Sequence, residues 1–115
     1  MFFNVPDVEK FLAEKEYIDT VIIPILSLDF AEDKMKKSSS AAEFLMSLTG
    51  FIEQQFKGRL MILPPFSYME SIKNEEFPIL LEAELKKSGF KYVFFITCDH
   101  SWTSLKEELN IIYRF

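Results

Sequence analysis

The residues of this chain with the widest chemical capability follow one apolar run. The run covers residues 92–97, and Cys98, Asp99 and His100 come directly after it. Cys98 is the sole cysteine and His100 the sole histidine of the chain. A thiol, a carboxylate and an imidazole are the groups that proteins use for nucleophilic attack, proton transfer and metal binding. The run predicts a buried parallel strand, and α/β proteins bind ligands beyond the carboxyl ends of such strands.

Two interpretations of the acidic residues and the histidine stay open. In the first, Asp29 and His100 are ligands of a divalent metal, with zinc, manganese or iron suited to carboxylate and imidazole. Asp99 or Cys98 would then assist. In the second, Asp29 and Asp99 cap the helices that follow two strands, and His100 is a partly exposed loop residue. A lasting metal site needs three or four ligands, so the sequence favours the second interpretation and no cofactor.

The same strand end allows a nucleophilic cysteine. Cys98 would attack, His100 would act as the base, and a helix beginning after Ser101 would lower the pKa of the thiol. The alternative is that Cys98 is a small residue of the core, as lone cysteines at the end of apolar strands usually are. The sequence favours this alternative, and we expect no catalytic residue here.

Two further segments contribute candidate residues. Asp29 follows the first predicted strand, and the segment 64–68, which begins with two prolines and ends in Tyr68, follows the second. The prolines predict a stiff turn, which is compatible with an aromatic wall of a pocket. Trp102 is either a lid over a ligand or a packed aromatic at the rim, and we expect the rim. The binding-pocket candidates are therefore Asp29, Tyr68, Cys98, Asp99, His100 and Trp102.

The elements that must position these residues follow from apolar spacing. Helices are predicted over residues 7–15, from 38–40 to about 57, from about 77 to 88, and over 105–109. The serines at 38–40 are expected to cap the second of these helices, and Ser101 or Thr103 the fourth. Strands are predicted over 20–27, 59–64, 92–97 and 111–113. The first strand should end or bulge at Pro24, which cannot donate to a ladder. The helix residues expected to face the core are Val8, Phe11, Leu12, Phe44, Leu45, Leu48, Phe51, Ile52, Phe56, Leu81 and Leu85.

This alternation predicts one α/β domain over residues 1–115. Strands separated by helices form parallel units, so we expect a three-layer α/β/α domain with a mostly parallel sheet. The right-handed crossovers of such units bring the carboxyl ends of the strands to one edge, where the candidate residues would meet. The last apolar run stops at Phe115. A natural chain that continues past this residue is an open alternative.

Composition restricts the partners. The net charge is −5 and the basic residues are scattered, whereas binding to nucleic acid requires a clustered cationic face. We therefore expect no nucleic-acid partner, and we interpret Lys34, Lys36 and Lys37 as a solvated loop. The 13 phenylalanines must either fill a dense core or leave an apolar surface. A surface of this kind would serve an unknown protein partner or a homo-oligomer, while the candidate pocket would serve a small molecule.

Sequence features also predict the compartment. One cysteine cannot form an internal disulfide, which fits a reducing environment. The amino terminus lacks the basic and apolar regions of a secretory signal, and no apolar run approaches the roughly 20 residues of a membrane helix. We therefore expect a cytoplasmic protein without membrane insertion. The three glycines, at 50, 58 and 89, form no phosphate-binding loop, which excludes dinucleotide binding of the common types.

The three strand ends together resemble the front half of creatininase and creatinine amidohydrolase-type proteins. The likeness covers roughly residues 19 to 103. It is carried by the segment 21–29, which ends in Ser27, Leu28 and Asp29, by the Pro-Pro-x-x-Tyr pattern at 64–68, and by the segment 95–100, which ends in His100. The resemblance implies a creatininase-like α/β/α scaffold. It also implies an alternative function, a metal-dependent amidohydrolase with a reduced site at Asp29, Asp99 and His100.

The departures from that family fall on its metal ligands. By the resemblance, Asp29 stands where the family has a glutamate ligand and His100 matches a histidine ligand. Ala31 replaces another histidine ligand, Trp102 stands where creatininase has a glutamate, and Asp33 lies only near the remaining ligand position. Two matching ligands do not hold the dinuclear centre that this amide hydrolysis uses. The resemblance therefore implies the architecture with a degenerate metal site.

The whole chain also resembles the small YpiF-type proteins of low-GC Gram-positive bacteria. The segments 3–12, 19–24 and 63–68 carry this likeness. That family has no assigned activity, so the resemblance adds no function. The creatininase resemblance, with its incomplete set of ligands, implies a non-catalytic, creatininase-like binding or interaction module, with the amidohydrolase and a self-associating structural protein as alternatives.

Overall fold

The computed structural model of the chain describes residues 1–105 and 109–113. In chain order its elements are α1 (Val5–Ala13), a 3-10 helix (Lys15–Tyr17), β1 (Thr20–Ser27), α2 (Met35–Gln55), β2 (Leu60–Ile62), β3 (Phe66–Tyr68), a 3-10 helix (Glu70–Ile72), α3 (Glu76–Lys87), β4 (Tyr92–Thr97), a 3-10 helix (His100–Leu105) and β5 (Asn110–Tyr113). This alternation of helices and strands confirms the predicted α/β class.

The strands form one sheet in which every described pair is parallel. β1 is central: β4 and then β5 lie on one side of it, and β2 and β3 both pair with its other side. β2 pairs with the first half of β1 and β3 with the second half. The mostly parallel sheet is thus confirmed. The predicted second strand is shorter than expected, and the segment predicted as a stiff turn contains β3.

Pro24 does not end β1, contrary to the prediction. The Ile22 carbonyl accepts a hydrogen bond from Leu63, and the Leu28 N–H donates to Tyr68, so these two residues of the chain face the β2 and β3 side. Because alternate residues of a strand direct their backbone groups to the same side, Pro24 faces that side as well. Pro24 has no N–H to donate, but on this side it faces the interval between β2 and β3, where no strand pairs with β1. The proline therefore removes no hydrogen bond from the sheet.

The two faces of the sheet are covered by different helices. Residues of α1 and α3 pack with Val21, Ile23 and Ile25 of β1 on one face. On the other face, Ile22 and Leu26 pack with Leu45 and other residues of α2. The alternation of side chains along β1 therefore separates two apolar cores, and the domain has the three predicted layers.

The order of the strands reverses between β1 and β4. From β1 the chain crosses through α2 to β2 on one side, and from β3 it crosses through α3 to β4 on the other side. In open α/β sheets such a reversal leaves a crevice beyond the carboxyl ends of the two strands, because their connections depart in opposite directions. Ser27 and Thr97 are the last residues of these strands.

The helix ends differ in part from the prediction. α1 begins at Val5, where the Asn4 side chain accepts the Asp7 N–H at 2.9 Å as the cap. α2 begins at Met35, so the serines at 38–40 lie inside it and do not cap it. A turn whose N–H groups donate to the Ala31 carbonyl starts this helix instead. Gly58 and Gly89 follow α2 and α3 with φ values of 77° and 111°, a conformation that suits glycine at the end of a helix.

The segment expected to cap the last predicted helix is itself a 3-10 helix. A 3-10 helix begins at His100, before Ser101 and Thr103, so neither residue is its cap. The predicted helix over 105–109 lies largely outside the described residues, at 106–108. β5 begins at Asn110, close to the predicted start of the last strand.

Several residues expected in the core are exposed. The fraction of the residue surface exposed to solvent is 39% for Phe44, 58% for Phe51, 47% for Phe56 and 65% for Leu12, whereas Leu45 is fully buried. The apolar stripe of α2 is wider than its contact with the sheet, so three phenylalanines lie on its flanks. Among the described residues no helix combines the length and apolar character that a bilayer crossing requires.

Candidate functional site

Asp99 lies at the centre of a hydrogen-bond network beyond the end of β4. Its Oδ1 accepts the Ser101 N–H at 2.9 Å and the Ser101 hydroxyl at 2.6 Å, and its Oδ2 accepts the Tyr68 hydroxyl. The Asp99 N–H donates to Thr97 Oγ1 at 3.0 Å. Asp99 therefore caps the 3-10 helix that follows it, and it also joins the end of β4 to β3.

Two more side chains complete what we call the Asp99 network, formed by Tyr68, Lys73, Asp99, Ser101 and Trp102. The Trp102 indole Nε1 donates to the Tyr68 oxygen at 2.7 Å, and the two rings meet edge to face with centroids 5.5 Å apart. The Lys73 ammonium lies 3.8 Å from Asp99 Oδ2 and 4.3 Å from the centroid of the Trp102 ring, and it contacts the Ser101 hydroxyl. The Trp102 residue is only 3% exposed, so its ring is packed tightly against the network.

The network fixes the charge states of its members. Burial works against ionisation of Asp99, but hydrogen bonds from Ser101 and Tyr68 and the Lys73 charge outweigh it, and the pKa of Asp99 is lowered. Burial, together with the hydrogen bond to Asp99, raises the pKa of Tyr68 far above its ordinary value. Asp99 is therefore a stable carboxylate at neutral pH, and Tyr68 remains a neutral donor to it.

Cys98 is half-buried at the edge of the core beneath α2. Its sulfur lies 3.9 Å from the Ala41 carbonyl oxygen, and its side chain packs against the apolar cluster beneath α2. Burial raises the pKa of the Cys98 thiol. A nucleophilic cysteine needs the opposite shift, because the thiolate is the reactive form.

A pocket of about 240 Å³ occupies the position where the strand order reverses. We call it the β1–β4 crevice. The end of β1, the middle of α2 and the segment after β4 form its walls, and the lining residues are Ile25, Leu26, Ser27, Ala41, Ala42, Leu45, Cys98, Asp99 and His100. Alanines on α2 leave the space open, and His100 is exposed at the first position of the 3-10 helix. The structure therefore places Cys98, Asp99 and His100 in the lining of one pocket.

Asp29 is not among the residues that line the β1–β4 crevice. Its Oδ1 accepts the Ala31 N–H at 3.0 Å, its own N–H donates to the Ser38 hydroxyl at 2.9 Å, and the residue is exposed. Asp29 lines a different pocket together with Met69 and Glu70. Within residues 1–105 and 109–113, no group of three or more His, Cys, Asp or Glu residues is arranged to hold a metal ion. The metal site at Asp29 and His100 stays a prediction.

The opposite face of the sheet carries a second pocket, of about 260 Å³, beside the Asp99 network. We call it the aromatic pocket. Its lining includes Phe66 and Tyr68 of β3, Phe77 of α3, and Trp102. The aromatic wall expected from the segment 64–68 is therefore present, although on the α3 side of the sheet.

The sequence did not indicate Lys73 or the role of Ser101 in the network. Lys73 follows a 3-10 helix between β3 and α3, and it reaches Asp99 only because β3 and β4 both pair with β1. No spacing along the chain carries that information. Ser101 had a local signal, since a serine two residues after an aspartate commonly donates its N–H to it.

Comparison with known proteins places the chain among proteins whose function is not established. It is 30% identical, over 105 residues, to the uncharacterized protein YpiF of Bacillus subtilis strain 168, a match that covers 89% of this chain and 68% of that protein. No solved structure matches the chain. Residues 9–113 match the family described as protein of unknown function DUF2487. The chain therefore belongs to the DUF2487 family.

Proposed function

We propose that this protein is a non-catalytic binding module whose ligand site is the β1–β4 crevice. The observation that carries the proposal is the position of that crevice, beyond the carboxyl ends of the two strands where the order reverses. Open α/β sheets bind their ligands at this point because the flanking connections leave it uncovered. The walls come from strands and a long helix, which hold a pocket in a preformed shape.

Two groups of the crevice that could perform chemistry, Asp99 and Cys98, are poorly suited to it. Both oxygens of Asp99 accept hydrogen bonds within the Asp99 network, so neither is poised to take a proton from a substrate. The raised pKa of Cys98 keeps it a thiol at neutral pH. These two features support binding in preference to catalysis. The relation to the creatininase scaffold, and hence a degenerate metal site, remains a prediction.

The lining of the crevice indicates the kind of ligand. Leu45, Ala41 and Ala42 supply an apolar wall, and the segment from Cys98 to His100 supplies a polar one. A pocket of about 240 Å³ lies just below the range of drug-sized sites, so the ligand should be a small molecule with one polar end. His100 is the exposed titratable side chain on the polar wall.

The test is a screen of small polar fragments by two-dimensional NMR of the ¹⁵N-labelled protein. We expect binding fragments to shift the amide signals of Ser27, Ala42 and His100. Ala41→Leu fills the crevice and should abolish these shifts. Ala83→Leu is the matched control, because Ala83 is exposed on α3 and lines neither described pocket at the strand ends. It should leave the shifts unchanged.

Two outcomes would contradict the proposal. Fragments that bind equally well to wild type and Ala41→Leu would place the site outside the crevice. A hydrolytic activity towards amides that is lost in His100→Ala and unaffected by Ala83→Leu would replace a binding module with an enzyme.

A further inference from the structure

The aromatic pocket lies on the other face of the sheet from the β1–β4 crevice. The aromatic pocket is lined on the α3 side by Phe66, Tyr68, Phe77 and Trp102, with Ile72 and Asn74 at its edge. The crevice is lined by α2 instead. The two pockets share Ile25 of β1 in their linings, but each has its own covering helix and its own remaining wall residues.

The aromatic walls are preformed. The rings of Phe66 and Phe77 meet at 62° with centroids 4.9 Å apart, and Tyr68 and Trp102 meet at 81°. Edge-to-face pairs of this kind hold each other in place. The Tyr68 hydroxyl and the Trp102 N–H are engaged with Asp99 and with each other, so these two residues present ring surface and not hydrogen-bonding groups. Such walls suit a flat ring that stacks or packs edge-on.

Asn74 determines which polar group the ligand needs. Its Oδ1 accepts the Glu76 N–H at 2.9 Å at the start of α3. With its oxygen engaged, Asn74 offers its amide NH₂ as a hydrogen-bond donor, and the matching ligand group is an acceptor such as a carbonyl oxygen.

Charge on the ligand is disfavoured at this site. The Lys73 ammonium beside the pocket is already paired with Asp99 and covers the Trp102 ring. An ion entering the aromatic pocket would lose hydration without gaining a counter-charge. The volume of about 260 Å³ suits a compound with one ring.

We infer that the aromatic pocket is a binding site for an uncharged, single-ring aromatic molecule that carries a hydrogen-bond acceptor. Aromatic rings supply the apolar contact, and Asn74 selects the acceptor. This inference does not depend on the proposed function, because the two pockets have only Ile25 in common and can be tested separately.

The probe is acetophenone, which has one ring, one carbonyl acceptor and no donor. The readout is the indole N–H signal of Trp102 in NMR spectra, which is unambiguous because the chain has one tryptophan. We expect a saturable shift with Kd of about 1 mM, typical of so small a ligand. Cyclohexyl methyl ketone lacks the aromatic ring and benzoate carries a charge, and each should bind at least about tenfold more weakly.

Three variants locate the binding. Asn74→Asp keeps the acceptor for the Glu76 N–H but removes the NH₂ donor, and it should weaken acetophenone binding by about threefold to tenfold. Ile72→Gln changes a residue that is 71% exposed at the edge of the pocket and should weaken binding about threefold. Leu80→Gln is the matched control, since Leu80 is 62% exposed on α3 outside the pocket, and it should have no effect.

The inference is overturned if the Trp102 signal does not move up to about 10 mM acetophenone, ten times the expected Kd. It is also overturned if cyclohexyl methyl ketone binds as well as acetophenone, or if Asn74→Asp and Ile72→Gln leave the affinity unchanged. Ala41→Leu, which fills the crevice, should not alter acetophenone binding. A loss in that variant would assign the signal to the crevice and contradict an independent site.

Discussion

Asp29 and Asp99 occupy equivalent positions in the sequence but not in the structure. Each stands two residues after the end of a central strand, β1 or β4. Asp29 is exposed and accepts a single local N–H, from Ala31. Asp99 also accepts a local N–H, but it further binds Tyr68 and Lys73, which precede it in the chain by 31 and 26 residues.

The difference shows how one local motif acquires two roles. An aspartate after a strand caps the turn that follows, and this use needs only neighbouring residues. At β4 the adjacent segments supply a tyrosine, a lysine and a tryptophan, so the same carboxylate becomes the link among β3, β4 and two 3-10 helices. We therefore expect the two aspartates to respond very differently to substitution.

The largest effect is expected for Asp99→Ala. The substitution removes a cap and leaves Lys73 and the Tyr68 hydroxyl without their charged partner in a largely buried place. We expect a loss of about 2–4 kcal/mol in the free energy of unfolding. Urea denaturation followed by circular dichroism measures it. A loss below that of an ordinary surface substitution, about 0.5 kcal/mol, would show that the network does not hold the strand ends.

Tyr68→Phe should have a smaller effect. It retains the ring that packs on Trp102 but removes the oxygen that donates to Asp99 and accepts from the indole. The expected loss is about 1–2 kcal/mol, since two hydrogen bonds end while the apolar packing is kept. The control is Tyr17→Phe, because Tyr17 is 77% exposed, and it should leave the unfolding midpoint unchanged.

The raised pKa of Tyr68 predicts a loss of stability at alkaline pH. A tyrosine whose folded pKa exceeds the unfolded value of about 10 contributes stability that is fully present below pH 10 and is lost as the pH rises towards the folded value. Between pH 9 and pH 11 the unfolding midpoint of the wild type should therefore fall further than that of Tyr68→Phe. Parallel curves for the two proteins would mean that Tyr68 ionises as freely in the folded chain as in the unfolded one.

The smallest effect is expected for Asp29→Ala. The side chain is exposed and accepts one N–H in a turn, so its removal should cost about 0.5 kcal/mol or less. Measured beside Asp99→Ala, this variant provides the other half of the comparison. A loss as large as that of Asp99→Ala would point to contacts of Asp29 beyond its turn.

The sequence predicted the elements that depend on local pattern. The apolar runs located β1 and β4, and their ends located Cys98, Asp99 and His100, because strand ends in a parallel sheet share one edge. The prediction that β1 ends or bulges at Pro24 was wrong. The strand accommodates this proline because neither β2 nor β3 pairs with β1 at that position.

Features that depend on contacts between segments distant in the sequence could not be predicted from local patterns. β3 pairs with β1 although two prolines precede it, and the pairing places Tyr68 beside Asp99. No sequence pattern around Lys73 indicates that it contacts Asp99. The helical period predicts an apolar stripe on α2, but it does not show which residues of that stripe contact the sheet. Phe51 was therefore predicted to lie in the core, whereas the structure exposes it to solvent.

The central claim is that Asp99 serves the structure through its link to Tyr68, and a double-mutant cycle tests it most directly. The four proteins are the wild type, Tyr68→Phe, Asp99→Ala and the double variant, each unfolded in urea at pH 7. Because each single change breaks the same hydrogen bond, we expect the double variant to be more stable than the sum of the single losses predicts, by about 1 kcal/mol or more. Additive losses, with a coupling near zero, would contradict the claim and return Asp99 to the candidates for chemistry in the crevice.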